Sequence, residues 1–319
     1  MSEPKKINIA NIPTPVQKVN FNGTQFLIKR DDLTGSLLSG NKIRKLEYIL
    51  SDVKKKKADY LFTCGGDQSN HARATAVSAK QIDVKTKLFL WGNDSKNAEG
   101  NLFIDKLIGS KIKYLTKKQY ENVTSEMLKE SKRLQKKGKK VYVLPSGGST
   151  PLGIWGYINF MRELNEQTDL NKLGGILSSV GSGGTSAGML LGATMLGLNL
   201  KIYGVNVFDD EETTREIIID LVETCIDEYK LKVKVDYNNL IIIDGYSTEG
   251  YKSIADNKLK LVKELFQSTG ILLDPTYTGK AFYAYHEKFL KGKKRSNILF
   301  LHTGGIFGIF PKRRKYLGA

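Results

Sequence analysis

From residue 60 onward the chain alternates short apolar runs with helical stretches, and no other feature limits its fold as much. Runs rich in aliphatic and aromatic residues lie at 60–64, 87–91, 111–115, 141–144, 176–180, 202–207, 240–243 and 297–302. Apolar residues at helical spacing fit between most of them, at 70–81, 97–109, 117–137, 151–166, 185–197, 211–228, 253–269 and 279–291. Strands that are apolar along their whole length belong to parallel sheets covered by helices on both faces. The expected class is therefore α/β. So many strands in 319 residues favour two open, mainly parallel twisted sheets over one. Ahead of this region, 24–29 alternates as a short strand. The stretch 41–54 carries a helical stripe of Ile43, Leu46, Ile49 and Leu50. Residues 1–23 read as irregular, with Pro13 and Pro15 flanking Thr14 and a turn at Asn22-Gly23. No repeat or low-complexity linker divides the chain. Any domain boundary is crossed by short connections, near 46–48 and in the polar stretch 162–170.

The net charge of +17 raises nucleic-acid binding as one reading. The lysine clusters at 54–57, 136–140 and 312–315 contain no aromatic residues for base stacking. Two of them fall where helices are expected to end, a favourable place for cations. A solvated lysine-rich surface is the simpler reading, with no nucleic-acid partner. Cys64 and Cys225 lie far apart, and His71, His286 and His302 form no ligand cluster, so neither a disulfide framework nor a metal site is expected. No apolar run reaches bilayer length, and Met1-Ser2-Glu3-Pro4-Lys5-Lys6 lacks the apolar core of a secretory signal. The expected location is the cytosol, away from membranes.

In open parallel sheets ligands sit beyond the carboxyl ends of the strands, so the loops that follow strands should carry the chemistry. After 60–64 comes Gly65-Gly66-Asp67-Gln68-Ser69-Asn70-His71, leading into a helix. Ser69 or Asn70 is the natural N-cap. Capping explains part of this loop, but four polar side chains in a row exceed one cap and suit a small carboxylate. After 176–180 comes Gly181-Ser182-Gly183-Gly184-Thr185-Ser186-Ala187-Gly188. Its glycines let main-chain N–H groups approach a phosphate at a helix start. No Gly-Lys-Ser/Thr follows, the dinucleotide pattern fails at Ser186, and Asp209 and Asp210 lie too far along to hold a ribose. A phosphate without adenosine fits better. Pro145-Ser146-Gly147-Gly148-Ser149-Thr150-Pro151 either borders the same cleft or is a plain turn. Tyr277 either covers a flat ligand, moves a proton, or packs on the surface.

Lys42, in Ser39-Gly40-Asn41-Lys42, stands in the first turn of its helix, where the dipole disfavours a cation. Ser39 or Asn41 can cap that helix. Arg44 and Lys45 add like charge nearby. Lys42 is either one surface lysine among many or, if buried, a neutral amine able to form a Schiff base with a carbonyl. A Schiff-base lysine joined to a phosphate cup, without an adenosine or metal signature, meets the needs of pyridoxal 5'-phosphate.

The motifs Ile28-Lys29-Arg30-Asp31-Asp32, Ser39 to Glu47, Gln68-Ser69-Asn70-His71, Gly181-Ser182-Gly183-Gly184-Thr185, Asp274 to Ala281 and His302-Thr303-Gly304-Gly305 follow one another along the chain. In that order they resemble the D-cysteine desulfhydrase and 1-aminocyclopropane-1-carboxylate (ACC) deaminase family. That family belongs to the tryptophan-synthase-β-like fold type of pyridoxal-phosphate enzymes. The resemblance implies that Lys42 carries the cofactor and exchanges a proton at the substrate Cα. It implies that Asn70 bonds the ring 3-hydroxyl oxygen, and that Gly181, Ser182, Gly183, Gly184 and Thr185 hold the phosphate. Ser69, with Gln68 and His71, would hold the substrate carboxylate, and Ser69 is the family's proposed nucleophile or base in the ACC reaction. Tyr277 would lie against the ring, Tyr251 would be the second active-site tyrosine, and Thr303 would face the pyridine nitrogen. It further implies a small domain at 47–165 inserted into a large cofactor-binding domain at 1–46 and 166–319, and a homodimer. ACC deaminases carry a glutamate where this chain has Thr278, placed to keep the pyridine protonated. Neutral Thr278 and Thr303 would leave a weaker electron sink, sufficient when a good leaving group departs from Cβ. The expected reaction is β-elimination on a small D-amino acid, D-cysteine giving pyruvate, hydrogen sulfide and ammonia. The alternatives are ACC deamination to 2-oxobutyrate and ammonia, or elimination from another D-amino acid such as D-serine.

Overall fold

The computed structural model describes residues 3–208 and 210–318. Ten strands form two sheets. The first contains β1 (Val16–Phe21), β2 (Thr24–Arg30), β7 (Gly175–Val180), β8 (Ile202–Asn206), β9 (Leu240–Ile243) and β10 (Ile298–His302), in the order β1-β2-β10-β7-β8-β9. The second contains β3 (Tyr60–Gly66), β4 (Lys85–Trp91), β5 (Lys111–Leu115) and β6 (Val141–Val143), in the order β5-β4-β3-β6. Every pairing is parallel except the β1–β2 hairpin. Central β7 and β10 are buried at every residue, as strands covered on both faces must be.

The helices are α1 (Lys42–Lys55), α2 (Asn70–Gln81), α3 (Gly100–Leu107), α4 (Lys117–Tyr120), α5 (Val123–Gln135), α6 (Trp155–Gln167), α7 (Gly184–Met195), α8 (Glu211–Tyr229), α9 (Asp256–Thr269), α10 (Thr278–Tyr285) and α11 (Arg313–Leu317). None among the described residues is long and apolar enough to cross a membrane. Helix α7, nearly all buried, packs between its own sheet and α6.

Two expectations need correction. Residues 16–21, expected to be irregular, form β1. Asn22 and Gly23, with φ of 49° and 78°, make the tight turn of a hairpin. Only Val19 and Phe21 of this edge strand are buried, and its polar outer residues mask the pattern. The expected helix at 117–137 is two: a capping box of Thr116 and Gln119 starts α4, the chain leaves the helix at Asn122 (φ −109°, ψ 25°), and α5 starts afresh.

Helix α1 joins the two sheets. Ile43, Leu46, Ile49, Leu50 and Val53 pack with Leu61, Ala74, Val77, Ala79 and Leu144 around the second sheet. Its first turn is pinned to the first sheet by a buried ion network. Arg44 Nε and Nη2 each donate to Asp31 at 2.8 Å, and Arg44 Nη1 donates to Glu163 at 2.8 Å. Lys29 also bonds Glu163, and the Tyr157 hydroxyl donates to Asp31 at 2.6 Å. Burial alone would raise the Asp31 pKa, but Arg44 and Tyr157 outweigh it and hold the carboxyl below its ordinary range.

Candidate active site

The two sheets bring the sequence-distant loops together at the start of α1. Gly40 has φ +107° and lies so close to the first sheet that an added Cβ would sit 2.7 Å from the Thr303 carbonyl oxygen. The Asn41 N–H donates to that same oxygen at 3.1 Å, and Asn41 Nδ2 donates to Thr185 Oγ1 at 2.9 Å. Neither expected cap forms. Asn41 makes no capping bond, and Ser39 Oγ donates to the Asp32 carbonyl instead. Lys42 therefore begins α1 against Thr185 and Thr303, in a first turn with no acidic residue. It keeps a partial opening to solvent, yet burial pushes its pKa down to about 8.

The glycine loop between β7 and α7 is the one expected to act as a phosphate cup. Gly183 has φ +74°, and Ser182 Oγ is 2.8 Å from Ser149 Oγ. Ser149 also accepts from the Gly184 N–H at 3.2 Å, so the 145–151 loop does border the cup. Lys45, one turn after Lys42, is fully buried and reaches the same place. Its Nζ donates to Ser149 Oγ at 3.2 Å and to the Gly147 carbonyl at 3.3 Å. No carboxylate among the described residues pairs with it. Burial, then Lys42, lowers its pKa well below that of a free lysine. An anion in the cup would favour the charged form of this amine, a role the sequence did not reveal. An added Cβ on Gly184 would lie 2.5 Å from Ser149 Oγ, and one on Gly181 would lie 3.4 Å from the Tyr277 ring. Lys42, Lys45, the hydroxyls and this bare backbone fit a pyridoxal-phosphate cradle, with Tyr277 along one side.

Ser69 caps α2 by accepting from the Ala72 N–H at 3.2 Å, which leaves its own hydrogen to donate. Gly65 makes room for it, since a Cβ there would touch Ser69 Oγ. Gln68 and His71 are placed differently from Ser69. The Gln68 amide is used at both ends, donating to the Glu99 carbonyl and accepting from the Asn101 N–H, each at 3.0 Å. His71 is buried, with Nε2 2.8 Å from Thr63 Oγ1 and its ring carbon Cε1 near Gly148. Burial, then Lys42 and Lys45, keeps its ring neutral.

The Tyr251 and Tyr277 hydroxyls share a short hydrogen bond, with ring centroids 5.7 Å apart. Burial, then Tyr251, holds the Tyr277 pKa far above its usual value. Asp274 fixes Tyr277 by accepting from the N–H groups of Thr276, Tyr277 and Thr278 at 2.8–3.0 Å. Buried Lys280 holds the Tyr251 segment by donating to the Gly250 carbonyl at 2.7 Å. Thr278 is 1% exposed, and its hydroxyl is engaged with Asp274 both as donor (2.7 Å) and as acceptor (2.8 Å). Thr303 Oγ1 lies 3.4 Å from Ser179 Oγ. Asp210 caps α8, and Asp209 lies outside the described residues.

The chain is 40% identical to a putative ACC deaminase of Thermotoga maritima over 97% of this chain and 99% of that protein. It is 37% identical to a bifunctional D-cysteine desulfhydrase/ACC deaminase of Arabidopsis thaliana, over 96% of this chain and 79% of that one. A crystal structure of an ACC deaminase homologue superposes with a TM-score of 0.90 at 33% identity, covering 99% of this chain and 96% of that chain. The two-sheet fold is thus that of the tryptophan-synthase-β-like enzymes. The model of the pyridoxal-phosphate dependent enzymes matches residues 7–304, and with these relatives it places the chain in that family as a pyridoxal-phosphate-dependent lyase.

Proposed function

We propose that this enzyme carries out β-elimination on D-cysteine, giving pyruvate, hydrogen sulfide and ammonia with uptake of one water. The observation that carries the reading is that the side chains at Thr278 and Thr303 are neutral hydroxyls, where ACC deaminases carry a glutamate at the first of these positions. Thr303 Oγ1 lies 3.4 Å from the Ser179 hydroxyl, and the Thr278 hydroxyl is held by the Asp274 carboxylate. Bound pyridoxal phosphate supplies an aldehyde and an electron sink. Lys42, with its lowered pKa, would hold that aldehyde and, once the substrate amine had displaced it, would take the proton from the substrate Cα. Ser69 and the free N–H groups at the start of α2 hold the substrate carboxylate, which sets the Cα–H that faces Lys42. Lys45, Ser182 and Thr185 hold the phosphate with the loop N–H groups, and Tyr277 and Tyr251 line the ring. Gln68 and His71 support the Ser69 turn from behind.

The same reading takes 1–46 and 166–319 as the large domain and 47–165 as the small one, in a cytosolic homodimer. Exposed Phe103 and Leu107 on α3, beside exposed Ile306 and Phe310, support a covered surface there. Assaying D-cysteine, L-cysteine and ACC for sulfide, pyruvate and 2-oxobutyrate tests the function. Sulfide and pyruvate from D-cysteine alone are expected. Sulfide from L-cysteine only, or 2-oxobutyrate as the main product, refutes it.

A further inference from the structure

Helix α2 carries a buried arginine that the site described above does not use. Arg73 lies on the same face of α2 as Asn70 and is fully enclosed. It donates from Nη1 to the Leu37 carbonyl and from Nη2 to the Ser39 carbonyl at 3.0 Å. Its guanidinium carbon sits 4.8 Å from the centroid of the Phe307 ring. No carboxylate among the described residues is hydrogen-bonded to it. Its third contact runs from Nε to Asn101 Oδ1 at 3.0 Å. Asn101, at the start of α3, is also fully enclosed. Asn101 Nδ2 donates to the Gln68 carbonyl and to Asn70 Oδ1, both at 3.0 Å, and its N–H donates to Gln68 Oε1 at 3.0 Å.

These contacts settle which end of each amide points where. An arginine Nε is always a donor, so the Asn101 oxygen must face it. The Asn101 nitrogen then faces the Gln68 carbonyl, an acceptor that cannot be reversed. Whatever end of Asn70 meets that nitrogen must be its oxygen. The Asn70 Nδ2 is turned the opposite way, and Asn70 is only half-buried.

We infer that Asn101, oriented by Arg73, is a positioning residue that makes Asn70 a hydrogen-bond donor to the site. The inference rests on the function proposed above together with the family resemblance, which has Asn70 meet the 3-hydroxyl oxygen of the bound ring. That oxygen must then be an acceptor, and its anionic form is favoured. The link reaches further than one contact. The same guanidinium holds the carbonyls of Leu37 and Ser39, five and three residues before Lys42, so a single cation sets both the lysine loop and the amide that faces the ring.

The test is Asn101→Asp, an isosteric change that keeps a partner for Arg73 but offers only acceptors to Asn70. Asn70 should rotate and present its oxygen to the ring. The holoenzyme should lose its cofactor about tenfold more readily or worse, the scale of one charge-assisted hydrogen bond. Its visible absorption should weaken in favour of the near-ultraviolet band of the ring with a protonated oxygen. In an Asn70→Ala background the same Asn101→Asp change should do nothing further to affinity or spectrum. Wild-type affinity and spectrum in folded Asn101→Asp overturn the inference, and so does an equal loss in the Asn70→Ala background, which would mean a merely structural role. If Asn101→Asp does not fold, folded Asn101→Ser takes its place in the same two measurements, and wild-type behaviour or an equal loss in the Asn70→Ala background again overturns the inference. A wild-type protein that takes up no pyridoxal phosphate refutes the proposed function instead, so the two failures are distinguishable.

Discussion

The lowered pKa of Lys42 predicts how the apoprotein meets an aldehyde. An ordinary lysine, at 10.5, is neutral to about 0.03% at pH 7, whereas one at about 8 is neutral to about 10%, a gain of about 300-fold in the reactive form. Intrinsic nucleophilicity falls with pKa, and a slope like the ~0.4–0.5 of thiols takes back roughly 10- to 20-fold. The net expectation is a neutral-pH rate about 20-fold above that of a solvated lysine. The sign follows from the cause. Burial disfavours the cation, so the neutral fraction rises with pH and saturates above about 8 rather than above 10.5. Apoprotein mixed with pyridoxal, which lacks the phosphate and so gains nothing from the cup, should show this in stopped-flow absorbance. The rate should rise about tenfold per pH unit below about pH 8 and level off above it. Borohydride trapping should place the label on Lys42. A rate that climbs without a break to about pH 10 would refute the argument from burial.

Lys45→Met should weaken pyridoxal-phosphate binding about tenfold or more while leaving pyridoxal binding nearly unchanged, as read by fluorescence titration. Gly40→Ala puts a Cβ 2.7 Å from the Thr303 oxygen at a left-handed φ, and denaturant unfolding should show a loss of about 1–3 kcal/mol or worse. Asp31→Ala leaves buried Arg44 and Lys29 sharing Glu163 as their one carboxylate in the network and should cost about 3–5 kcal/mol by the same measurement, with no change in the absorption of protein that remains folded. Thr278→Glu sets a second carboxylate against buried Asp274, so it should lower the thermal midpoint before it changes the substrate.

What the sequence made legible was local. Glycines crowded with hydroxyls after an apolar run mark the turn from β7 into α7 that meets the start of α1, because few other structures need so much bare backbone. Lys42 was legible because it breaks a rule of its own helix. The rest depended on contacts between distant segments. Lys45 looked like one more positive neighbour, and only the approach of Ser149 and Ser182 shows where its amine ends. Gln68 and His71 flank Ser69 and Asn70 in sequence, but at a helix start adjacent residues diverge, so one is tied to α3 and the other faces the interior. Arg73 and Asn101 carry no local signature; one sits in an alanine-rich helix and the other in an ordinary first turn. Arg30-Asp31-Asp32 reads like a motif of chemistry, yet Asp31 is engaged in the network that pins α1.

Helix α1 bears on how such enzymes can be recombined. Its apolar face completes the interior of the four-stranded sheet, while the residues just before Lys42 and at Arg44 are tied to the six-stranded one. A graft of 58–144 from a relative would therefore meet a foreign helix face, and a graft extended back to 42 would import a foreign lysine turn into the cup. The two halves are not interchangeable modules. Substitutions at Ile49 or Val53, remote from the cleft in sequence terms, tilt the helix that begins at Lys42. Adaptation of the small sheet is thus constrained by the tolerance of the α1 start, and libraries that shuffle these halves should carry residues 31–55 and Glu163 as one inherited unit.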